Sequence, residues 1–184
     1  MQGQPVLYVV TSGAAPTRDL PGLVTDLIAD WDVCVISTPE GTRFFDTDQM
    51  SALTGHPVRT GFKDPDAADV LPPPSAFAAA PATFNTINKW AAGISDTLAL
   101  ALLNEAIGRW LPIVTVPWPN AALARHPAFD RSISTLRDCG ITVVLDPEQL
   151  PDDDSPRQVS FPWEQLRAEI ARIRASLGPG AAGR

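Results

Sequence analysis

Charge is scarce in this chain: Asp, Glu, Lys and Arg make up 19 % of its 184 residues, against about 25 % in a typical domain. No run of Lys or Arg occurs and the net charge is -7. No nucleic-acid partner is therefore expected, because neutralising phosphates needs a basic face. Cysteine is nearly missing too. Cys34 and Cys139 share no CxxC spacing, and each falls in a stretch that reads as apolar strand or helix. The expectation is two buried free thiols, with no metal site and no disulfide framework. No basic leader and no long apolar stretch precede the first strand-like run, so a soluble, cytoplasmic protein with no membrane segment is expected. The sparse charge has two readings: a surface covered by a partner, self-association being the simplest case, or dilution by the many prolines and alanines.

What is present is a regular alternation. Five apolar runs read as buried strands: "VLYVVTS" from Val6, "DVCVIST" from Asp32, "AFAAAPAT" from Ala76, "PIVTVPW" from Pro112 and "ITVVLDP" from Ile141. Continuous apolar runs of this length suit strands covered on both faces. Helical spacing separates them, in "LVTDLIADW", in "RFFDTDQMSALTG" ending at Gly55, in a long region from Thr86 to Trp110 broken near Gly93, and in "HPAFDRSISTLRDCG". A final amphipathic helix has Pro162 near its start and Gly178 at its end. "KDPDAADVLPPPS" and "LPDDDSPRQVS" read as loops. The expected fold is α/β, a doubly wound parallel sheet of the Rossmann-like or flavodoxin-like three-layer kind. It forms one domain over residues 1–178, with a frayed tail at 179–184.

In such sheets ligands bind beyond the carboxyl ends of the strands. The loops there begin at Ser12, Thr38, Pro81 and Pro117. Thr11, Ser12 and Gly13 precede a helix, and Ser37 and Thr38 are followed by Gly41 and Thr42. Small hydroxyl residues at a strand-to-helix turn either cap the helix or hold a phosphate through backbone N–H groups and the helix dipole. The third loop is denser: Pro81, Ala82, Thr83, Phe84, Asn85, Thr86, then Asn88 and Lys89. Its amides and hydroxyls suit a heteroaromatic ring with mixed donors and acceptors; the plainer reading is that Thr83 or Asn85 caps a helix. Asp96, in "GISDTL", either caps a second helix after the break or faces a ligand.

"PATFNTINK" and "GISDTL" carry a resemblance. They are similar to the PASANT motif and the G-[IL]-[ACS]-D-[ND]-L stretch of the homo-oligomeric flavin-containing cysteine decarboxylases, with Phe84 in place of a small residue. The order of strands and loops agrees from about Pro5 to Pro147. The resemblance implies FMN as cofactor, bound between subunits of a homotrimer or a dodecamer of trimers. It would be lined by Ser12, Ser37, Thr38, Ala82, Thr83, Asn85 and Thr86, with Thr11, Gly13 and Asp96 as further candidates. In that family FMN oxidises a cysteine thiol to a thioaldehyde, which then draws the electrons left by departing CO2. A small-molecule or peptide substrate is thus implied.

Three positions depart from the pattern. The family's catalytic histidine falls at Ala67, fourteen residues before Pro81. The P-x-M-N-x-x-M-W motif reads "PWPNAALA", keeping Asn120, the residue implied to contact a substrate carboxylate. The clamp region near "PDDDSPRQVS" has no cysteine. Only His56 and His126 exist to substitute. His126, followed by Pro127, either reaches the flavin edge or caps a helix, and it joins Asn120 as a catalytic candidate. The reading that follows is an FMN-binding member with altered or lost decarboxylase activity. Alternatives are an active decarboxylase of a peptidyl-cysteine or other small thiol carboxylate and, ranked lowest, a flavin prenyltransferase-like enzyme.

Overall fold

β-Branched and small apolar residues supply five parallel strands: β1 (Val6–Thr11), β2 (Asp32–Ser37), β3 (Ala76–Ala82), β4 (Ile113–Pro117) and β5 (Thr142–Val143). Their order across the sheet is β2-β1-β3-β4-β5, that of a flavodoxin-like doubly wound sheet. The computed structural model describes residues 3–64, 66–68, 70–152 and 159–178. The tail at 179–184 and most of the expected clamp loop therefore lie outside the described residues.

Alternation along each strand sorts the core into two layers. Tyr8, Val10, Cys34, Ile36, Phe77 and Ala79 face one side. There they meet α3 (Phe84–Ala91), α4 (Leu98–Gly108) and α6 (Pro127–Asp138), a separate short turn α5 (Ala121–Ala124) lying just before α6. Leu7, Val9, Val33, Val35, Ala78 and Ala80 face the other side, toward α1 (Leu20–Leu27), α2 (Thr47–Thr54) and α7 (Trp163–Ser176). β3 brings mostly alanines, so the bulk in the first layer comes from the helices, chiefly Ile87, Trp90 and Leu103, all at most 1 % exposed. Pro81 has no N–H to give the ladder, and the β3–β4 pairing shifts register between Ala79 and Ala82.

Helix ends follow the expected punctuation, with local differences. The break near Gly93 is real: α3 stops at Ala91, Gly93 sits at φ 71, and α4 starts at Leu98. Its cap is Thr97, which accepts the Leu100 N–H, so Asp96 is not the cap. Gly55 (φ 74) ends α2 in the left-handed region that favours glycine. The fifth strand is shorter than its apolar run, only Thr142–Val143, and pairs with β4.

One expectation is corrected. Cys34 is buried in β2, but Cys139 is exposed. It follows the buried stripe of Phe129, Ile133 and Leu136 in sequence, yet it is the C-cap residue of α6. The chain turns away at Gly140 (φ 83) before the thiol can pack. Burial pushes the Cys34 thiol up to about 12, and the Asp32 carboxylate adds to the rise. Its contribution to stability is thus complete below the ordinary thiol range and is lost as pH climbs toward about 12.

Two outcomes follow. At mildly alkaline pH a thiol reagent should titrate one equivalent in the native chain, at Cys139, and a second only after unfolding. In urea denaturation, Leu103→Ala should cost about 2–5 kcal/mol, whereas Leu123→Ala, at a side chain 40 % exposed, should stay within about 0.5 kcal/mol.

Candidate functional site

The strand order reverses direction between β1 and β3, and there the loops at their carboxyl ends are joined by one side chain. Ser12, 3 % exposed, donates its hydroxyl to the Pro81 carbonyl at 2.8 Å and accepts the Thr83 N–H at 3.0 Å. Its own N–H also reaches Pro81 O, at 3.2 Å. The Ser12 carbonyl accepts the Ala14 N–H and the Thr17 hydroxyl, both at 2.8 Å. Since that bond uses the only hydroxyl proton of Thr17, the 3.2 Å contact between Thr11 and Thr17 must be donated by Thr11.

The loop after β2 closes on this bracket. Thr38 donates its N–H to Thr11 O at 2.9 Å, and Gly41 N–H is shared between Thr38 O at 2.9 Å and Thr38 Oγ1 at 3.2 Å. The Ser37 hydroxyl is buried and donates to Thr38 O at 2.9 Å. The approach is so close that glycine is required at two points. A Cβ on Gly41 would lie 2.5 Å from Ser37 Oγ, and one on Gly13 would lie 2.8 Å from Glu40 Cβ.

α3 begins from the third loop. Thr83 is its N-cap, accepting the Thr86 N–H, and its hydroxyl lies 3.0 Å from that of Thr86. The N–H groups of Phe84 and Asn85 fall in the first turn, which has no preceding turn of carbonyls to pair with. No acidic residue stands in that turn, so the positive end of the helix keeps its field. Asn85 is exposed, Thr86 is 7 % exposed, and Ala82 is buried beneath them.

Of the sequence candidates, Thr11, Ser12, Gly13, Ser37, Thr38, Ala82, Thr83, Asn85 and Thr86 are thus gathered around the carboxyl ends of β1, β2 and β3. The hydroxyls of Thr11, Ser12 and Ser37 donate to other groups of the chain. Asp96 lies on the exposed α3–α4 connection and pairs with Lys89 Nζ at 2.5 Å; Lys89 is six residues, about 9 Å of helix, beyond Thr83.

Asn120 caps α5, its Oδ1 accepting the Leu123 N–H at 2.8 Å. That use of the oxygen leaves the amide NH2 as the group with donor capacity. The Trp118 N–H donates to Ala82 O at 2.8 Å, which ties this loop to the third one. His126 caps α6, its Nδ1 accepting the Ala128 N–H at 3.0 Å. Its ring meets Phe84 edge-on at 5.8 Å, so Phe84 carries α6 toward the head of α3. With Nδ1 used as acceptor, the neutral ring holds its proton on Nε2. His56 lies at the opposite end of the sheet, with Nε2 2.6 Å from Asp32 Oδ1. Ala67 sits exposed in the loop before β3, where its carbonyl accepts from Lys63 Nζ at 2.6 Å.

Thr17 and Glu40 carry parts of this geometry that sequence reasoning missed. The one available signal for Thr17 was a hydroxyl after proline at a helix start; nothing marked Glu40 as the neighbour of Gly13.

A sequence profile described as Flavoprotein matches residues 1–173. The chain belongs to the flavoprotein family. The resemblance seen in "PATFNTINK" and "GISDTL" is therefore upheld for the family. Among curated proteins, this flavoprotein is 33 % identical over 149 residues to the coenzyme A biosynthesis bifunctional protein CoaBC of Bacillus subtilis (strain 168), covering 76 % of this chain and 35 % of that protein. It is 30 % identical over 101 residues to a cysteine/cysteine sulfinic acid decarboxylase of an unknown prokaryotic organism, covering 52 % of this chain and 27 % of that protein. The chain spans about a third or less of the length of these curated relatives. Among solved structures, TvaF, described as an FMN-dependent cysteine decarboxylase from thioviridamide biosynthesis, superposes with a TM-score of 0.72 at 22 % identity, over 94 % of this chain and 99 % of that one. At that identity the likeness speaks for the fold.

Ser12→Ala should leave Pro81 O and the Thr83 N–H without their side-chain partner. An unsatisfied buried group costs about 1–3 kcal/mol, so the melting temperature should fall while the circular dichroism spectrum stays native. Gly41→Ala should destabilise as well, whereas Gly22→Ala, whose Cβ would meet nothing within 4 Å, should not; parallel thermal melts of the two variants check this.

Proposed function

We propose that this flavoprotein binds FMN at the ends of β1, β2 and β3, in a homotrimer, and that its decarboxylase chemistry is altered or lost. The observation that carries the cofactor reading is the head of α3. Its first-turn N–H groups stand beside a cluster of hydroxyls and amides, with no acid in the turn itself and the cap residue held by Ser12. Such an end suits a phosphate without any cationic side chain. Gly13, Thr38 and the Phe84–Asn85 amides would hold the phosphate, and Asn85 and Thr86 the polar edge of the ring. Relatives described as FMN-dependent cysteine decarboxylases and as an FMN-binding protein share the fold.

When bound, FMN supplies a two-electron oxidant for a thiol. The rest falls to the chain. Asn120 retains an amide that can donate to a substrate carboxylate. A proton acceptor for the thiol is harder to find. Ala67 offers a methyl group where the resemblance puts a histidine. His126 can bind a proton at Nδ1 only by giving up its cap on α6, and His56 is held by Asp32. General acid–base assistance contributes about 10²–10⁴-fold, and its loss is the basis for expecting slow or no decarboxylation.

The retained Asn120 donor favours a second reading, an active decarboxylase of a peptidyl-cysteine or small thiol carboxylate. The protein should purify yellow or bind added FMN with quenching of flavin fluorescence, and its mass in solution should be a multiple of three chains. A colourless protein that ignores FMN would sink the cofactor reading. Mixed with cysteine-terminated peptides, it should leave their masses unchanged; loss of CO2 at each peptide terminus would instead establish the second reading.

A further inference from the structure

The turn after β2 sets a carboxylate beside the residues proposed to hold the phosphate. Gly41 N–H donates to Thr38 O at 2.9 Å, which closes a β-turn over Thr38, Pro39, Glu40 and Gly41. Proline suits the first central position because its ring pre-sets φ, and Glu40 follows at φ -70 and ψ -27. Glu40 thus stands two residues after Thr38. It also lies against Gly13: a Cβ added to Gly13 would be 2.8 Å from Glu40 Cβ and 3.3 Å from its carbonyl carbon. The carboxyl carbon of Glu40 is two bonds beyond Cβ, so it is held within about 7 Å of Gly13 Cα. That is inside the screening length of about 8 Å at physiological salt.

A carboxylate at that range opposes a phosphate, and the chain carries a counterweight in the same turn. Arg43 Nη1 donates to Glu40 Oε2 at 3.0 Å. Arg43 belongs to the short 3-10 turn Gly41–Phe44. That turn is pinned in its turn by Arg18, whose guanidinium lies over the Phe44 ring, 5.4 Å from its centroid. The side chains of Arg43 and Glu40 are 76 % and 74 % exposed. Pairs so exposed add little to stability, and the Glu40 side chain caps no helix. The fold gains little from this pair, and its two charges are free to act on an anion beside Gly13 and Thr38.

We propose that Glu40 and Arg43 are specificity-determining residues of the strand-end site. Glu40 weakens the hold on a terminal phosphate, Arg43 offsets it, and together they set how strongly the site prefers FMN to riboflavin. The two ligands share the ring and the sugar-alcohol chain and differ by the phosphate alone. A charge beside the phosphate therefore acts on one and spares the other. The inference rests on the flavin reading and adds to it the residues that tune it.

The measurement is a titration of FMN and of riboflavin into the flavin-free full chain, followed by quenching of flavin fluorescence. Glu40→Gln keeps the Cβ contact with Gly13 and removes only the charge. It should tighten FMN by about threefold or more and leave riboflavin unchanged. Arg43→Gln leaves the Glu40 charge without its counterweight and should weaken FMN by about threefold or more, again with no effect on riboflavin. At 1 M salt, where the screening length falls to about 3 Å, both differences should shrink. Unchanged FMN binding in either variant, or a parallel change in riboflavin, would overturn the proposal and leave the flavin reading intact. Binding of neither ligand by the native chain would remove the flavin reading and the proposal with it.

Discussion

Ser12 sits where two strands that are neighbours in space, though far apart in sequence, run out of ladder. Pro81 cannot donate to the sheet, so the Ser12 side chain reinforces the backbone bond from the Ser12 N–H to Pro81 O at the β1–β3 junction. The Ser12 hydroxyl gives its proton to Pro81 O and takes one from the Thr83 N–H. That second bond fixes the residue that caps α3. The Ser12 carbonyl, held by Ala14 and Thr17, fixes the turn into the next helix. The loop after β2 then docks through Thr38 and needs glycine at 13 and 41 to come close enough. The Ser12 hydroxyl and carbonyl therefore join the loops after β1 and β3, and the Thr11 carbonyl brings in the loop after β2.

The same arrangement fixes the head of α3, whose first turn carries backbone dipoles and no acidic residue. Dipoles fixed by a hydrogen-bonded bracket need no side-chain ordering when a ligand arrives.

Both histidines are committed to holding the fold. His126 terminates α6 through Nδ1 and packs on Phe84; His56 pairs with Asp32 at the far end of β2. Neither is placed as a ready base beside the strand-end loops, and position 67 carries a methyl group on an exposed loop. Asn120 keeps its amide NH2 uncommitted, because its cap uses only the oxygen.

Much of this was legible in the sequence, and the reason is physical. Strands buried on both faces must be apolar throughout, so β1 to β4 announce themselves, and the helices between them force a parallel sheet. Gly55, Gly93 and Gly178 stop helices by a local backbone property that needs no tertiary partner. The candidate loops were legible too, because small hydroxyl and amide residues clustered at strand ends. Partnership was not. That Ser12 bonds across to Pro81, that Thr97 and not Asp96 caps α4, that Cys139 escapes the core and that Glu40 lies against Gly13 all depend on contacts between segments distant in sequence or on where a helix stops. The sequence by itself determined which residues could be strand, helix or polar loop. Only the tertiary structure decided which polar groups are spent on one another and which remain for a ligand, because a hydrogen bond is settled by distance and direction, and those exist only once the chain has folded.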